Sequence, residues 1–310
     1  MEWNGKGKRP LIDPNTDLWL PEFLKQKPGS VPWLIEPFLP AGGVVFMHGP
    51  TSTGKSPLTW KIATCVSNGV DFFGYKVQKT GPVLYVELDT PANLIHPRLA
   101  KLEVKPDQMH LSVFSRPLNI INPDSADVYR LSELYNKVKP VLVIVNTLRK
   151  SHASDDKESH VPSLVYGAWQ SYFPGATILI VHHDKKEQEG QNPDQAFSGN
   201  QAWANDAQVG LHLVRRGNYE HKDDEKDEHK KTLVSLKMTK SQVSDHELFQ
   251  PLHLQLCNDG TNWEESGPDS YRKYFSNLDK NLSRAARIEA TMLRFGMGKS
   301  AIYNACKGLD

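Results

Sequence analysis

Eight residues constrain this chain more than any others: Gly49-Pro50-Thr51-Ser52-Thr53-Gly54-Lys55-Ser56. They fit the pattern G-x-x-x-x-G-K-[ST], a loop whose backbone N–H groups cradle phosphates. Glycine permits both the close approach of backbone to oxyanion and the unusual torsions such a loop needs. Lys55 brings a point charge to the outer phosphates, and the Ser56 hydroxyl is a ligand for Mg²⁺. The apolar run at residues 43–48 reads as a buried strand. Leu58, Ile62, Ala63 and Val66 then recur at helical spacing, with Pro57 in the first turn, where proline is tolerated. The helix N-terminus behind the loop favours anions. The spacing therefore predicts a nucleotide site over residues 49–57, with ATP and Mg²⁺ as its occupants.

The remainder of the chain predicts the sheet that carries this loop. Strand-like runs occupy residues 83–89, 109–114, 141–146, 176–181 and 209–214, with helical patterns at 91–102, 125–138, 161–172 and 201–205. The run at 141–145 is continuously apolar, as expected when both faces of a parallel sheet are covered. Alternation of this kind predicts a doubly wound α/β core, and the later runs at 232–238 and 252–257 an antiparallel edge. Residues 1–30, with four prolines, read as an extended arm with one short helix near 18–24. The core then spans 31–258, a linker 259–281, and a helix-turn-helix-like segment 282–310. The second helix of that segment presents Lys299, Ser300, Tyr303, Asn304 and Lys307, which suits either a DNA groove or a plain helical hairpin or dimerisation tail.

Composition narrows the class. Lys+Arg 37 against Asp+Glu 36 gives a formal charge of +1, so any nucleic-acid surface must be local. The mixed-charge run 217–231 reads as a solvated tip. Cys65, Cys257 and Cys306 are widely separated, without metal or disulfide spacing, which suits a reducing compartment. No apolar run is long enough to cross a bilayer and no signal-peptide pattern opens the chain, so a cytoplasmic protein without a membrane partner is expected.

In an open parallel sheet the chemistry gathers beyond the carboxyl ends of the strands. The run at 83–89 delivers Glu87 and Asp89, either of which can orient an attacking water or cap the following helix. Two apart, they are expected on one face of a strand. Asn146 ends the run at 141–146 and either ligates the metal or is a plain strand end. His182 and His183 end the run at 176–181, placed to sense the γ-phosphate; with no further ligand at suitable spacing they do not suggest a metal site. The polar stretches that follow offer Arg149, Lys150, His152, Lys185 and Lys186 as phosphate contacts, or as ordinary solvated charge, and Phe197 as the one stacking aromatic.

Together the segments PFLPAGGVVFMHGPTSTGKS, GPVLYVELDTP, VLVIVNTLRKSHASDD, TILIVHHDKK and FSGNQAWANDAQVGLHLV resemble the RecA-like ATPases of the RepA-type hexameric helicase branch, from about Trp33 to Cys257. The resemblance implies a RecA-like fold, a prokaryotic or phage-encoded ATP hydrolase whose sites are shared between neighbours in a ring, and single-stranded DNA in a central channel. It sets Asp89 at the catalytic glutamate, with Glu87 two earlier, Asn146 at the metal aspartate, and His183 and His182 at the strand-end histidines. Lys240 matches a lysine that reaches a neighbouring site, whereas Gln242 stands where an arginine finger is expected; Arg215 or Arg216 can replace that charge. The departures at Asp89, Asn146 and Gln242 leave nucleotide binding better supported than turnover. They admit a second reading, a nucleotide-switched DNA-binding regulator or loader, and a third, a RecA-like ATPase in signalling or recombination that does not unwind DNA.

Overall fold

The computed structural model describes residues 20–23, 25, 31–102, 104–184, 201–216, 232–244, 248–257 and 259–309. Lys185, Lys186, Phe197 and the run 217–231 lie outside the described residues, as does most of the arm, in which a short helix α1 spans Leu20–Phe23.

A small antiparallel pair, β1 (Trp33–Ile35) and β2 (Leu39–Pro40), leads into β3 (Val44–Gly49). The phosphate-loop motif follows, then α2 (Lys55–Asn68), β4 (Val83–Glu87), α3 (Ala92–Leu99), β5 (Met109–Val113) and α4 (Ala126–Val138). The core continues through β6 (Leu142–Asn146), α5 (Val161–Tyr172), β7 (Thr177–His183), α6 (Ala202–Asp206) and β8 (Val209–Arg215). Strands β9 (Leu233–Ser241), β10 (Leu252–Leu256) and β11 (Trp263–Glu265) follow. The chain closes with α7 (Pro268–Asn277), α8 (Arg284–Phe295) and α9 (Lys299–Ala305).

The nine-stranded sheet has the order β11-β10-β9-β8-β3-β7-β6-β4-β5. From β8 to β5 neighbours run parallel; β9, β10 and β11 are antiparallel additions at one side. This is the RecA-like α/β arrangement expected from the sequence. The first crossover carries the chain from β3 over β7 and β6 to β4, so the motif sits on a central strand with a parallel neighbour on each side.

Both faces of the sheet are covered. On one, Val45 and Met47 of β3 and Leu179 of β7 pack with Leu58, Ile62 and Val66 of α2. On the other, Phe46, Val143, Val145 and Ile180 pack with Val165 and Trp169 of α5 and with Trp203. This explains why β6 is apolar throughout: all five of its residues are buried. Helix α4 starts where Ser125 accepts from the Asp127 N–H at 3.3 Å, a side-chain N-cap.

Residues 259–281, expected to be a linker, instead hold β11 and α7. Helices α7, α8 and α9 enclose a core of their own built on Tyr271, Phe275, Ile288, Phe295 and Ile302. Gly296, left-handed at φ 61, ends α8 and turns the chain into α9. Lys299, Ser300, Tyr303, Asn304 and Lys307 are exposed, as the sequence predicts for the second helix of this segment. The unit is tied to the sheet by paired bonds of 2.7 and 2.5 Å from Arg294 to the Glu264 carboxylate. No helix of the described residues is long and apolar enough to cross a membrane.

Candidate nucleotide-binding site

The loop is shaped by two glycines that cannot be replaced without displacing backbone or ring. At Gly49 a Cβ would stand 2.5 Å from the Leu213 carbonyl of β8. Gly54 has φ +83, and a Cβ there would meet the Trp263 ring at 2.5 Å. Lys55 folds back so that Nζ donates to Gly49 O and Pro50 O, both at 2.6 Å. It is 4 % exposed. Burial pulls its pKa down to about 8, the Asp184 charge opposes that shift, and the Arg215 charge adds to it. A buried ammonium held by carbonyls, with no carboxylate in contact among the described residues, is stabilised when an anion arrives, so the loop fits a nucleotide polyphosphate.

At the carboxyl end of the sheet, β4 and β6 bring Glu87 and Asn146 side by side in register. Asn146 Nδ2 donates to Glu87 Oε2 at 2.8 Å and to Ser56 Oγ at 3.2 Å. The other Glu87 oxygen accepts from the backbone N–H groups of Asp89 and Thr90, each at 2.9 Å. Glu87 is 1 % exposed. Burial raises its pKa, against the Asn146, Thr90 and Asp89 hydrogen bonds that favour the anion. The hydroxyl, amide and carboxylate oxygens gathered here are hard donors of the kind Mg²⁺ takes. This donor set fits such a metal, which Ser56 and Asn146 would hold.

Asp89 is placed differently from the expectation that it shares a face with Glu87. The strand ends at Glu87, and the turn that follows carries Asp89 outward to pair with Lys150 Nζ at 2.6 Å. Glu87, not Asp89, bonds Asn146, which in turn reaches Ser56. Neither residue caps α3, whose N-cap position is Pro91.

The strand-end histidines also separate, because successive residues of β7 face opposite ways. His183 lies beside Gly49, where burial and the Lys55 charge lower its pKa. Its Nδ1 is buried without a hydrogen-bond partner among the described residues. His182 packs on Phe46 on the other face.

Of the expected phosphate contacts, Arg149 is 62 % exposed at its side chain and pairs with Asp156 at 3.3 Å. His152 is buried against Asp156 and Trp203, so it is unavailable to a ligand at the surface. Lys240 caps the carboxyl end of α6: Nζ donates to Ala204 O, Asn205 O and Ala207 O. Within its own chain it does not face the phosphate loop.

One cluster was not anticipated. Asp184, one residue past β7, contacts His48 Nδ1 with Oδ1 at 2.8 Å and His212 Nε2 with Oδ2 at 3.2 Å. Its backbone N–H donates to Gly49 O at 3.0 Å, the same carbonyl that Lys55 engages. Burial alone would raise this carboxyl; the bonds to His212 and His48 overcome it and hold Asp184 well below the ordinary range. The ligating atoms lie within 4.8 Å of one another, but both Asp184 oxygens are already engaged by imidazoles, so the cluster serves to brace β3, β7 and β8 under the loop. The signal in the sequence was a histidine inside each of two apolar strand runs, since a buried polar group requires a partner.

A family model covers the part of the chain that carries this site. The AAA domain family matches residues 10–189, more than half of the 310-residue chain. The chain belongs to that family, and its fold and loop are those of a RecA-like P-loop ATPase. A crystal structure of a KaiC-like protein from the hyperthermophilic archaeon Pyrococcus horikoshii OT3 is similar at 13 % identity and a TM-score of 0.49, covering 74 % of this chain and 93 % of that one.

Proposed function

We propose that this chain hydrolyses ATP to move along or unwind single-stranded DNA, as a helicase or translocase in replication, working as a ring of identical subunits for which the resemblance suggests six. The observation that carries the ATPase half is the meeting of Lys55, Ser56, Glu87 and Asn146 at the carboxyl end of one parallel sheet. In this reading the loop amides and Lys55 hold the triphosphate. Mg²⁺, held by Ser56 and Asn146, would neutralise charge on the phosphates. Glu87, its basicity raised by burial, accepts the proton of the attacking water, and His183 senses the γ-phosphate. The DNA half is supported by the exposed Arg149 and by Lys150 on the segment just after β6, next to the same site.

The test is ATP hydrolysis with and without single-stranded DNA on the wild type, Lys55→Ala and Glu87→Gln. Hydrolysis that rises with single strands, falls with salt and disappears in both variants is expected. Hydrolysis untouched by Glu87→Gln would overturn the assignment of the base. A second reading, the nucleotide-switched DNA-binding regulator or loader, is favoured by Asn146, which brings no charge to the metal. It is favoured as well by two exposed cations, Lys299 on α9 and Lys307 just past it. Preference for duplex over single strands with negligible turnover would select it.

A further inference from the structure

Phosphoryl transfer spreads negative charge over the γ-phosphate oxygens, and a guanidinium placed there is worth on the order of 10³-fold or more in rate. Four positions in this chain bear on that role. Gln242 carries no charge, and its backbone N–H is occupied by Gln208 O at 2.9 Å. Lys240 is turned onto the end of α6. Arg216 points to the C-terminal helices, donating to Ser266 O at 2.8 Å and to the Tyr271 hydroxyl at 3.4 Å. Arg215 turns to the phosphate loop: its Nη2 donates to Ser52 O at 3.1 Å and to Thr51 O at 3.3 Å.

We propose that Arg215 is the cation that contacts the terminal phosphate, supplied by the same chain that carries the loop. The inference rests on the ATP-hydrolysing reading above and completes its site. Strand β8 runs parallel to β3, with His212 beside His48, and its Leu213 carbonyl is pressed against Gly49. Two residues farther on, the chain has risen past the root of the loop to the level of its apex, where Thr51 and Ser52 lie. The guanidinium is a planar fork of five N–H donors, and both bonds to the loop use Nη2. Among the described residues Nε and Nη1 make no bond, so their N–H groups can donate to an anion. Lys55 and Arg215 both donate to carbonyls of this one loop, and a polyphosphate relieves the repulsion between the two cations.

The alternative is that Arg215 merely holds the loop in shape. The two roles separate on the number of phosphates. A loop brace serves ADP and ATP alike, because both fill the loop with the β-phosphate. A contact to the terminal phosphate serves ATP alone. Arg215 is exposed, so Arg215→Ala and Arg215→Gln keep the fold. Their affinities for ADP and for a non-hydrolysable ATP analogue are to be measured beside the wild type. The expected result is an ADP affinity near wild type and a loss of about 10- to 100-fold for the analogue, the range of one charge-assisted hydrogen bond. Equal losses for both, or none, overturn the proposal.

Origin within the same chain is tested by mixing Arg215→Ala with Lys55→Ala subunits and measuring hydrolysis. If Arg215 acts on its own loop, each subunit is defective by itself and mixing restores nothing. If it acts on a neighbour, a Lys55→Ala subunit lends its Arg215 to the intact loop of an Arg215→Ala subunit; recovery of activity overturns the proposal. A Lys55→Ala chain that still binds ATP as the wild type does would defeat the nucleotide site itself, and this proposal with it. The Arg215 results alone bear only on this residue.

Discussion

Asn146→Asp converts the neutral partner of Glu87 into a second carboxylate. In the wild type, Asn146 Nδ2 donates to Glu87 Oε2 at 2.8 Å, and the two residues are 2 % and 1 % exposed. Without metal, the variant loses that charge-assisted bond and sets two carboxylates against each other away from water. Breaking a buried charged contact costs about 3–5 kcal/mol. At about 2 °C per kcal/mol for a chain of this size, the melting temperature should fall by roughly 6–10 °C in chelator near pH 8. The sign with pH follows from the pair. One carboxyl must have its folded pKa raised above the unfolded value, so stability is retained at low pH and lost as pH rises through the raised pKa. The deficit should shrink toward pH 5. It should also shrink with Mg²⁺ and nucleotide, which give the new carboxylate a counter-charge, and hydrolysis should rise. Thermal unfolding in chelator and in Mg²⁺-nucleotide, at several pH values, measures all of this. A variant that melts with the wild type in chelator at pH 8 would refute the contact between residues 87 and 146 and the metal-ligand role built on it.

Three further outcomes follow from the same geometry. Because burial lowers the Lys55 pKa to about 8 from 10.5, the unfolded chain holds this proton more tightly, so stability relative to Lys55→Met should rise between pH 8 and 10.5. Nucleotide affinity, which needs the charged lysine, should decline over the same window; an affinity flat to pH 10 would contradict it. Asp184→Ala removes the carboxylate that two buried imidazoles share and should cost about 3–5 kcal/mol in urea unfolding. The depressed Asp184 pKa contributes stability above the ordinary carboxylate range that is lost as pH falls through the folded value, so the gap between wild type and variant should narrow in acid. Gly49→Ala sets a methyl group 2.5 Å from the Leu213 carbonyl, which must separate β8 from the loop, and calorimetry with ADP should show binding weakened at least tenfold, on the order of 1.4 kcal/mol.

The order of amino acids was enough to specify the phosphate loop, the strands beside it and the layered α/β class. These depend on local pattern: a fixed spacing of glycine, lysine and serine, and apolar runs long enough to be buried on both faces. It also placed Glu87, Asn146 and His183 at strand ends, since the end of a parallel strand is where polar groups meet solvent. What it could not rank was Glu87 against Asp89, or His183 against His182. Those choices depend on where a strand stops and which way its last residue faces, and both follow from neighbouring strands rather than from the residues themselves. The linker expected at 259–281 was misjudged for a related reason. Short β11 is a strand because β10 offers it an edge, and α7 packs on helices that follow it in the chain. The His48–Asp184 contact of the brace and the turn of Arg215 toward Thr51 and Ser52 join positions more than a hundred residues apart. Sheet order alone brings them within hydrogen-bonding distance, and sheet order is a property of the folded chain.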